Sequence, residues 1–143
     1  MTLPHDELDV LRSIGGEFVD VARSAEPAAP VPSCPGWSLA SLTDHVADCW
    51  AFWSQVVRND VTDRNQLRDI TTPAGLTGGD LVAALAEAHR SLCDALADAP
   101  NDQPVWSWAG SNLDGAWLRR RMVHEAAVHR WDLATATGEM YEI

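Results

Sequence analysis

All eight prolines of the chain lie outside four stretches of about twenty residues in which apolar side chains recur every three or four positions. Proline removes a backbone donor and clashes with the preceding turn, so its exclusion marks these stretches as helices. The first helix is predicted over His5–Ala25, with Leu8, Leu11, Phe18 and Val21 as its stripe and Ile14 beside it. Its Gly15-Gly16 pair weakens it by about 1 kcal/mol per glycine relative to alanine. The second opens at Ser38 as N-cap, with Trp37 and Leu42 placed as a hydrophobic staple, and ends near Asn59 or Asp60. Its inward face is expected to hold Leu42, His45, Val46, Cys49 and Trp53. The third runs from about Gly79 to Ala99 along Leu81, Leu85, His89, Leu92 and Leu96. The fourth starts near Asn112 or Asp114 and stops before Gly138, a suitable C′ residue, with Leu118, Met122, Glu125, Ala126, His129 and Leu133 on one face.

The connections are as informative as the helices. Segment 26–37 carries four prolines and cannot be regular. Residues 60–77 are polar, and a structureless run of that length is uncommon in a compact domain, so a short helix or a lid is expected there. Segment 100–111 reads as a loop with one extended stretch around Val105–Trp108. No sustained alternation of β-branched residues and no internal repeat occurs. The pattern implies an all-α four-helix bundle, and 143 residues suit one domain spanning 1–143.

Charge excludes several functions. The formal net charge is −11, and the ten basic residues are all arginine. Such a chain repels nucleic-acid phosphates and anionic membrane surfaces, and without lysine it cannot form a Schiff base. Three cysteines with no C-x-x-C spacing argue against a disulfide framework and a thioredoxin-type pair. The N-terminal MTLPHDELDV has neither the basic nor the apolar region of a secretory signal, and no apolar run approaches the ~18 residues of a membrane span. The expected setting is the cytoplasm.

Three metal-capable side chains stand where apolar ones are expected: His45, Glu125 and His129. Glu125 and His129 are four apart, so on a helix they differ by only about 40° in direction and can converge on one ion, with a third ligand from a facing helix. An unpaired buried carboxylate is costly, which favours a metal over an empty core position. His124-Glu125-Ala126-Ala127-Val128-His129 is not the zincin H-E-x-x-H motif. Its histidines are five apart and diverge by about 140°, so His124 is expected to face away, on the line of Arg120 and Val128.

The segments VPSCPGWSLASLTDHVADCW (31–50) and WLRRRMVHEAAVHRWDLATATG (117–138) resemble the metal-binding domain of mycothiol-dependent maleylpyruvate isomerases, within the DinB-like four-helix bundles. The likeness extends from about residue 5 to 138. It implies a divalent ion, usually zinc, held by His45, Glu125 and His129. It also implies mycothiol as a low-molecular-weight thiol and a small-molecule electrophile as second substrate, in a monomer or homodimer. Full-length isomerases of this type carry a further C-terminal domain, whereas this chain stops at Ile143. The resemblance thus points to a metal-activated, thiol-dependent transferase or isomerase-like enzyme. The alternatives are a non-catalytic metal- or ligand-binding bundle and a helical interaction domain without metal.

Other residues carry weaker signals. Cys49, one turn after His45, is either a fourth ligand or core packing, the second being usual for a free cysteine. Cys34 sits in a proline-bounded turn and reads as a structural or exposed thiol. His89 reads as a satisfied core histidine. Asp132, three after His129, either orients that imidazole or pairs with an arginine. Arg119, Arg120 and Arg121 fan around the helix and are expected to be solvated or paired with carboxylates. One of them, or Arg130, is also placed to grip a carboxylate of a thiol cofactor. Five of the seven tryptophans, Trp37, Trp50, Trp53, Trp117 and Trp131, lie on or beside the second and fourth helices.

Overall fold

The computed structural model describes residues 6–141; His5, the expected first residue of the first helix, lies outside them. The periodic stretches form α1 (Glu7–Ser24), α2 (Leu39–Arg58), α3 (Gly78–Asp98) and α4 (Gly115–Thr137). Local chemistry sets their ends. Asp6 caps α1 by accepting from the Leu8 amide at 3.1 Å. Ser38 and Ser41 cap α2 reciprocally, each side chain accepting from the other's backbone N–H. Asp114 caps α4 by accepting from the Trp117 amide at 2.9 Å. Gly138 ends α4 at φ 78°, in the left-handed region where a side chain would be strained.

A 3₁₀ helix, Arg64–Asp69, occupies the 60–77 segment, so the short helix expected there is present. The Gln55 side chain accepts from the Thr71 amide at 3.1 Å and ties this connection to α2. Among the described residues there is no strand. The extended stretch expected at Val105–Trp108 reduces to an isolated bridge, Pro104↔Asp114, with Val105 donating to the Leu113 carbonyl at 3.0 Å.

The order of packing is the main topological result. α2 packs most extensively on α3, α1 packs on α4 and α3, and α2 and α4 make the weakest of the four neighbouring contacts. Around the bundle the order is therefore α1, α3, α2, α4, and the successive pairs α1/α2 and α3/α4 stand on diagonals. The loops before α2 and α4 make the diagonal crossings. Each closes on itself where its helix begins, through the bridges Pro30↔Ser38 and Pro104↔Asp114. The helices that carry His45, Glu125 and His129 thus become neighbours along the loosest seam of the bundle.

The core is apolar and continuous. Leu11, Phe18, Leu42, Val46, Trp50, Leu85, Leu92, Leu96, Leu118, Met122 and Leu133 are buried, and Phe18 meets Trp50 edge-on at 6.1 Å between ring centroids. Trp53 sits between Trp106 and Trp117, each at 6.4 Å, which packs the second diagonal loop and the start of α4 onto α2. No helix among the described residues is long and apolar enough to cross a membrane.

Candidate metal centre

The α2–α4 seam opens into a cavity of about 430 Å³ lined by His45, Arg121, His124, Glu125, Val128 and His129. Within it His45, Glu125 and His129 each offer one ligand atom, and these atoms lie within 4.8 Å of one another. The His45 and His129 rings meet edge-on, with centroids 4.9 Å apart. His129 Nε2 lies 3.3 Å from a Glu125 oxygen. The three residues singled out by spacing are therefore gathered at one point.

Their burial differs from expectation. Glu125 and His129 are half-buried, but His45 is exposed rather than inward-facing. The reason is the loose α2–α4 seam, which leaves this flank of α2 facing solvent. The Trp37 ring lies beside His45, with ring centroids 5.3 Å apart. His124 stays outside the converging donors, as its helical phase requires, yet it lines the cavity rim instead of pointing away.

A second layer holds the donors in place. Asp132 is buried, and one of its oxygens lies 3.0 Å from His129 Nδ1. In the neutral ring, an Nδ1 proton given to Asp132 leaves the Nε2 lone pair turned to the cavity. The other Asp132 oxygen accepts from the Ser33 hydroxyl at 2.6 Å. Ser33 comes from the proline-rich loop and has no signal in helical periodicity, so nothing in the sequence singled it out. Arg121 donates to the remaining Glu125 oxygen at 2.6 Å, and its guanidinium stacks on the exposed Trp108 ring at 5.3 Å.

The protonation states follow from this geometry. Burial disfavours protonated His129, but the Glu125 and Asp132 carboxylates outweigh it and raise its pKa. Glu125 is held below the usual carboxylate range, chiefly by His129 and further by Arg121, against burial. Partial desolvation and the neighbouring His129 lower the pKa of His45. Burial, with help from Glu125 and Asp48, pushes the Cys49 thiol up to about 12, so Cys49 keeps its proton, and it is not among the converging donors. Cys34 is likewise raised, by burial and by Asp132.

The basic residues divide sharply. Arg119 turns away from the cavity and donates to the Leu96 carbonyl, to the Ala99 carbonyl at 3.0 Å and to Asn101 at 3.0 Å. It therefore closes the C-terminus of α3 rather than remaining solvated. Arg120 is exposed. Arg130, also placed by its sequence position to grip a cofactor, is buried on the far side. There it pairs with both oxygens of Glu139 and lies 4.4 Å over the Tyr141 ring. His89 is far from these donors in role: it meets the Leu11 carbonyl at 3.3 Å and the Trp50 ring at 5.2 Å inside the core. A larger groove of about 570 Å³, lined by Ala22, Leu39, Thr43, Leu81 and Ala86, has Arg23 as its one ionisable side chain and offers no comparable donor set.

Comparison with known proteins bears on the whole arrangement. Neither the curated proteins nor the solved structures return a match. The family model described as the mycothiol maleylpyruvate isomerase N-terminal domain matches residues 9–134, a span that contains all four helices but for the ends of α1 and α4. The chain belongs to the mycothiol maleylpyruvate isomerase N-terminal domain family, whose members are DinB-like helical bundles.

Proposed function

We propose that the chain binds a divalent metal ion, zinc by preference, through His45, Glu125 and His129. In this reading the site serves a thiol-dependent transferase or isomerase-like reaction, with mycothiol as thiol and a small electrophile as second substrate. The observation that supports it most is the gathering of two imidazoles and one carboxylate within 4.8 Å, with His129 anchored from behind by Asp132. Two histidines and one glutamate form a donor set that recurs in catalytic zinc sites with an open position. A bound divalent ion in this set keeps a net charge of about +1, which attracts an anion and lowers the pKa of a thiol that coordinates it.

The chain's own residues have defined tasks in this reading. Asp132 holds the Nδ1 proton of His129. Arg121 holds Glu125 at one oxygen and leaves the other toward the cavity. Val128 adds an apolar side chain to the cavity lining, and the Trp37 ring stands beside His45 and the Trp108 ring beside Arg121 at its edge, which suits an organic ligand. Borderline-soft zinc matches nitrogen and oxygen donors together with a thiolate, although nickel, iron and manganese accept the same protein ligands. A cytoplasmic setting fits the three free cysteines.

Metal analysis and zinc titration of the purified protein test the first half. One equivalent taken up by the wild type and lost in His129→Ala is expected; no uptake overturns the reading. Incubation of the loaded protein with mycothiol and an electrophile such as maleylpyruvate tests the second half. Metal uptake without turnover would leave a metal- or ligand-binding bundle.

A further inference from the structure

We propose that Ser33, in the proline-rich loop before α2, is a positioning residue that sets the metal affinity of the site through Asp132. The inference rests on the reading of His45, Glu125 and His129 as metal ligands. It starts from a hydrogen-bonded chain that spans two distant parts of the sequence. The Ser33 hydroxyl donates to Asp132 Oδ1 at 2.6 Å, and Asp132 Oδ2 receives His129 Nδ1 at 3.0 Å. Thr135 lies 3.1 Å from the Ser33 hydroxyl, and its own proton goes to the Asp132 carbonyl at 2.7 Å. A hydroxyl has one proton to give. Thr135 spends its proton on the backbone, so the proton on Asp132 Oδ1 is that of Ser33.

The loop is built to hold Ser33 still. The Cys34 amide donates to the Val31 carbonyl, the Trp37 amide to the Cys34 carbonyl and the Val31 amide to the Trp37 carbonyl, each at 3.0 Å. Pro32 and Pro35 flank the turn, and Val31 anchors it in the core. The same turn places Trp37 beside His45, so one loop touches the surroundings of two of the three donors. Asp132 is buried, and a buried carboxylate needs a partner at each oxygen. Ser33 and His129 are those partners, and the Cys34 thiol, a weak donor, stands beside the carboxylate. Without Ser33, Oδ1 loses its strong donor and the carboxylate is held less firmly. The Nδ1 proton of His129, and with it the direction of Nε2, then loses its fixed point. Partners behind a ligating histidine alter metal affinity by about 10–100-fold when removed.

The test uses the full chain and reads binding, not turnover. Zinc affinity is measured by competition titration, and the cobalt(II)-loaded protein by its visible ligand-field spectrum, with apo melting followed in parallel. Ser33→Ala is expected to weaken zinc binding about tenfold and to change the cobalt spectrum, while Ser33→Thr restores both because it keeps the hydroxyl. Ser33→Gly, which also removes the hydroxyl and adds no zinc-binding atom, should follow Ser33→Ala and serves if the alanine variant folds poorly. In an Asp132→Asn background Ser33→Ala should have no further effect, because the chain is already broken. Wild-type affinity and spectrum in Ser33→Ala overturn the proposal, as do effects of Ser33→Ala and Asp132→Asn that simply multiply. A wild-type protein that takes up neither ion overturns the metal reading itself, and the positioning role with it.

Discussion

The His89 ring fills the space that a side chain on Gly15 would need: a Cβ built on Gly15 lies 2.3 Å from the imidazole. The glycine that weakens α1 as an isolated helix thus lets α1 close on α3 with a histidine between them. The imidazole has little freedom to retreat. Trp50 lies 5.2 Å from it, its Nε2 meets the Leu11 carbonyl at 3.3 Å, and Cys93 Sγ is 3.6 Å away.

Gly15→Ala should therefore destabilise the fold, by about 1–3 kcal/mol as for other overpacked sites. Gly16 has nothing within 4 Å of its would-be Cβ. Gly16→Ala should stabilise by about 0.5–1 kcal/mol, the ordinary gain of alanine over glycine in a helix. Urea denaturation of the two variants gives opposite signs if His89 is the cause. Equal signs would mean that the ring can move aside.

His89 also makes the core sensitive to acid. Burial lowers its pKa, with Arg12 adding to the effect and the Leu11 carbonyl opposing it. The unfolded chain then takes up the proton first as pH falls below about 6.5. Stability contributed by neutral His89 is complete above that value and is lost as pH drops toward the folded pKa. Ring-proton NMR should place the His89 midpoint below that of a free imidazole. In His89→Gln the loss of melting temperature on acidification should be shallower than in the wild type. A midpoint at or above the free value would contradict the account.

The three arginines of the run part ways: Arg119 reaches the end of α3, Arg121 pairs with Glu125, and Arg120 is exposed. Arg119 satisfies carbonyls at the end of α3 that have no partner within that helix. Arg119→Ala should cost about 1.5–3 kcal/mol, the range for hydrogen bonds to a charged group. Arg120→Ala, at an exposed position, should stay within about 0.5 kcal/mol of wild type. Thermal melts of the pair check this; a similar loss in both would indicate an effect of net charge rather than of the cap.

Helices and donors were legible in the sequence for the same reason. Proline exclusion and the 3.6-residue period define a helix and the direction of each side chain on it, so Glu125 and His129 could be placed on one line and His124 off it. The period says nothing about which helices become neighbours or how tightly. The exposure of His45 follows from the loose α2–α4 seam, and that seam follows from two loops crossing the bundle diagonally. The partners of Arg119, Arg130 and Ser33 were hidden for a related reason. Arg119 and Ser33 reach groups far away in sequence, and Arg130 reaches Glu139 just past the end of α4, where the helical period no longer sets direction. Asp132 stood between the two cases: its spacing from His129 allowed the contact, and the competing arginine partner was excluded only by the packing of α4.

His129 predicts opposite pH responses with and without metal. In the apo protein its pKa is raised, because the Glu125 and Asp132 carboxylates outweigh burial. Protonated His129 therefore adds stability that is fully present below about 6.5, the unfolded value, and is lost as pH rises through the folded pKa. Metal binding, as proposed for this site, requires neutral imidazoles, so its contribution grows as pH rises and fades on acidification. An ion that binds the native state alone stabilises by about 2.7 kcal/mol at a hundredfold excess over Kd. Melting curves at several pH values, with chelator or with zinc, should show the zinc-induced increment rising with pH in the wild type and in His124→Ala. His129→Ala should lose most of that increment and, in chelator, should also lose the stabilisation seen toward low pH. His45, whose pKa is lowered, opposes that apo trend, so the difference between wild type and His129→Ala at each pH is the quantity to compare. Equal zinc-induced stabilisation in wild type and His129→Ala would place the metal elsewhere. An increment lost in His124→Ala but kept in His129→Ala would move the ligand set one helical phase outward.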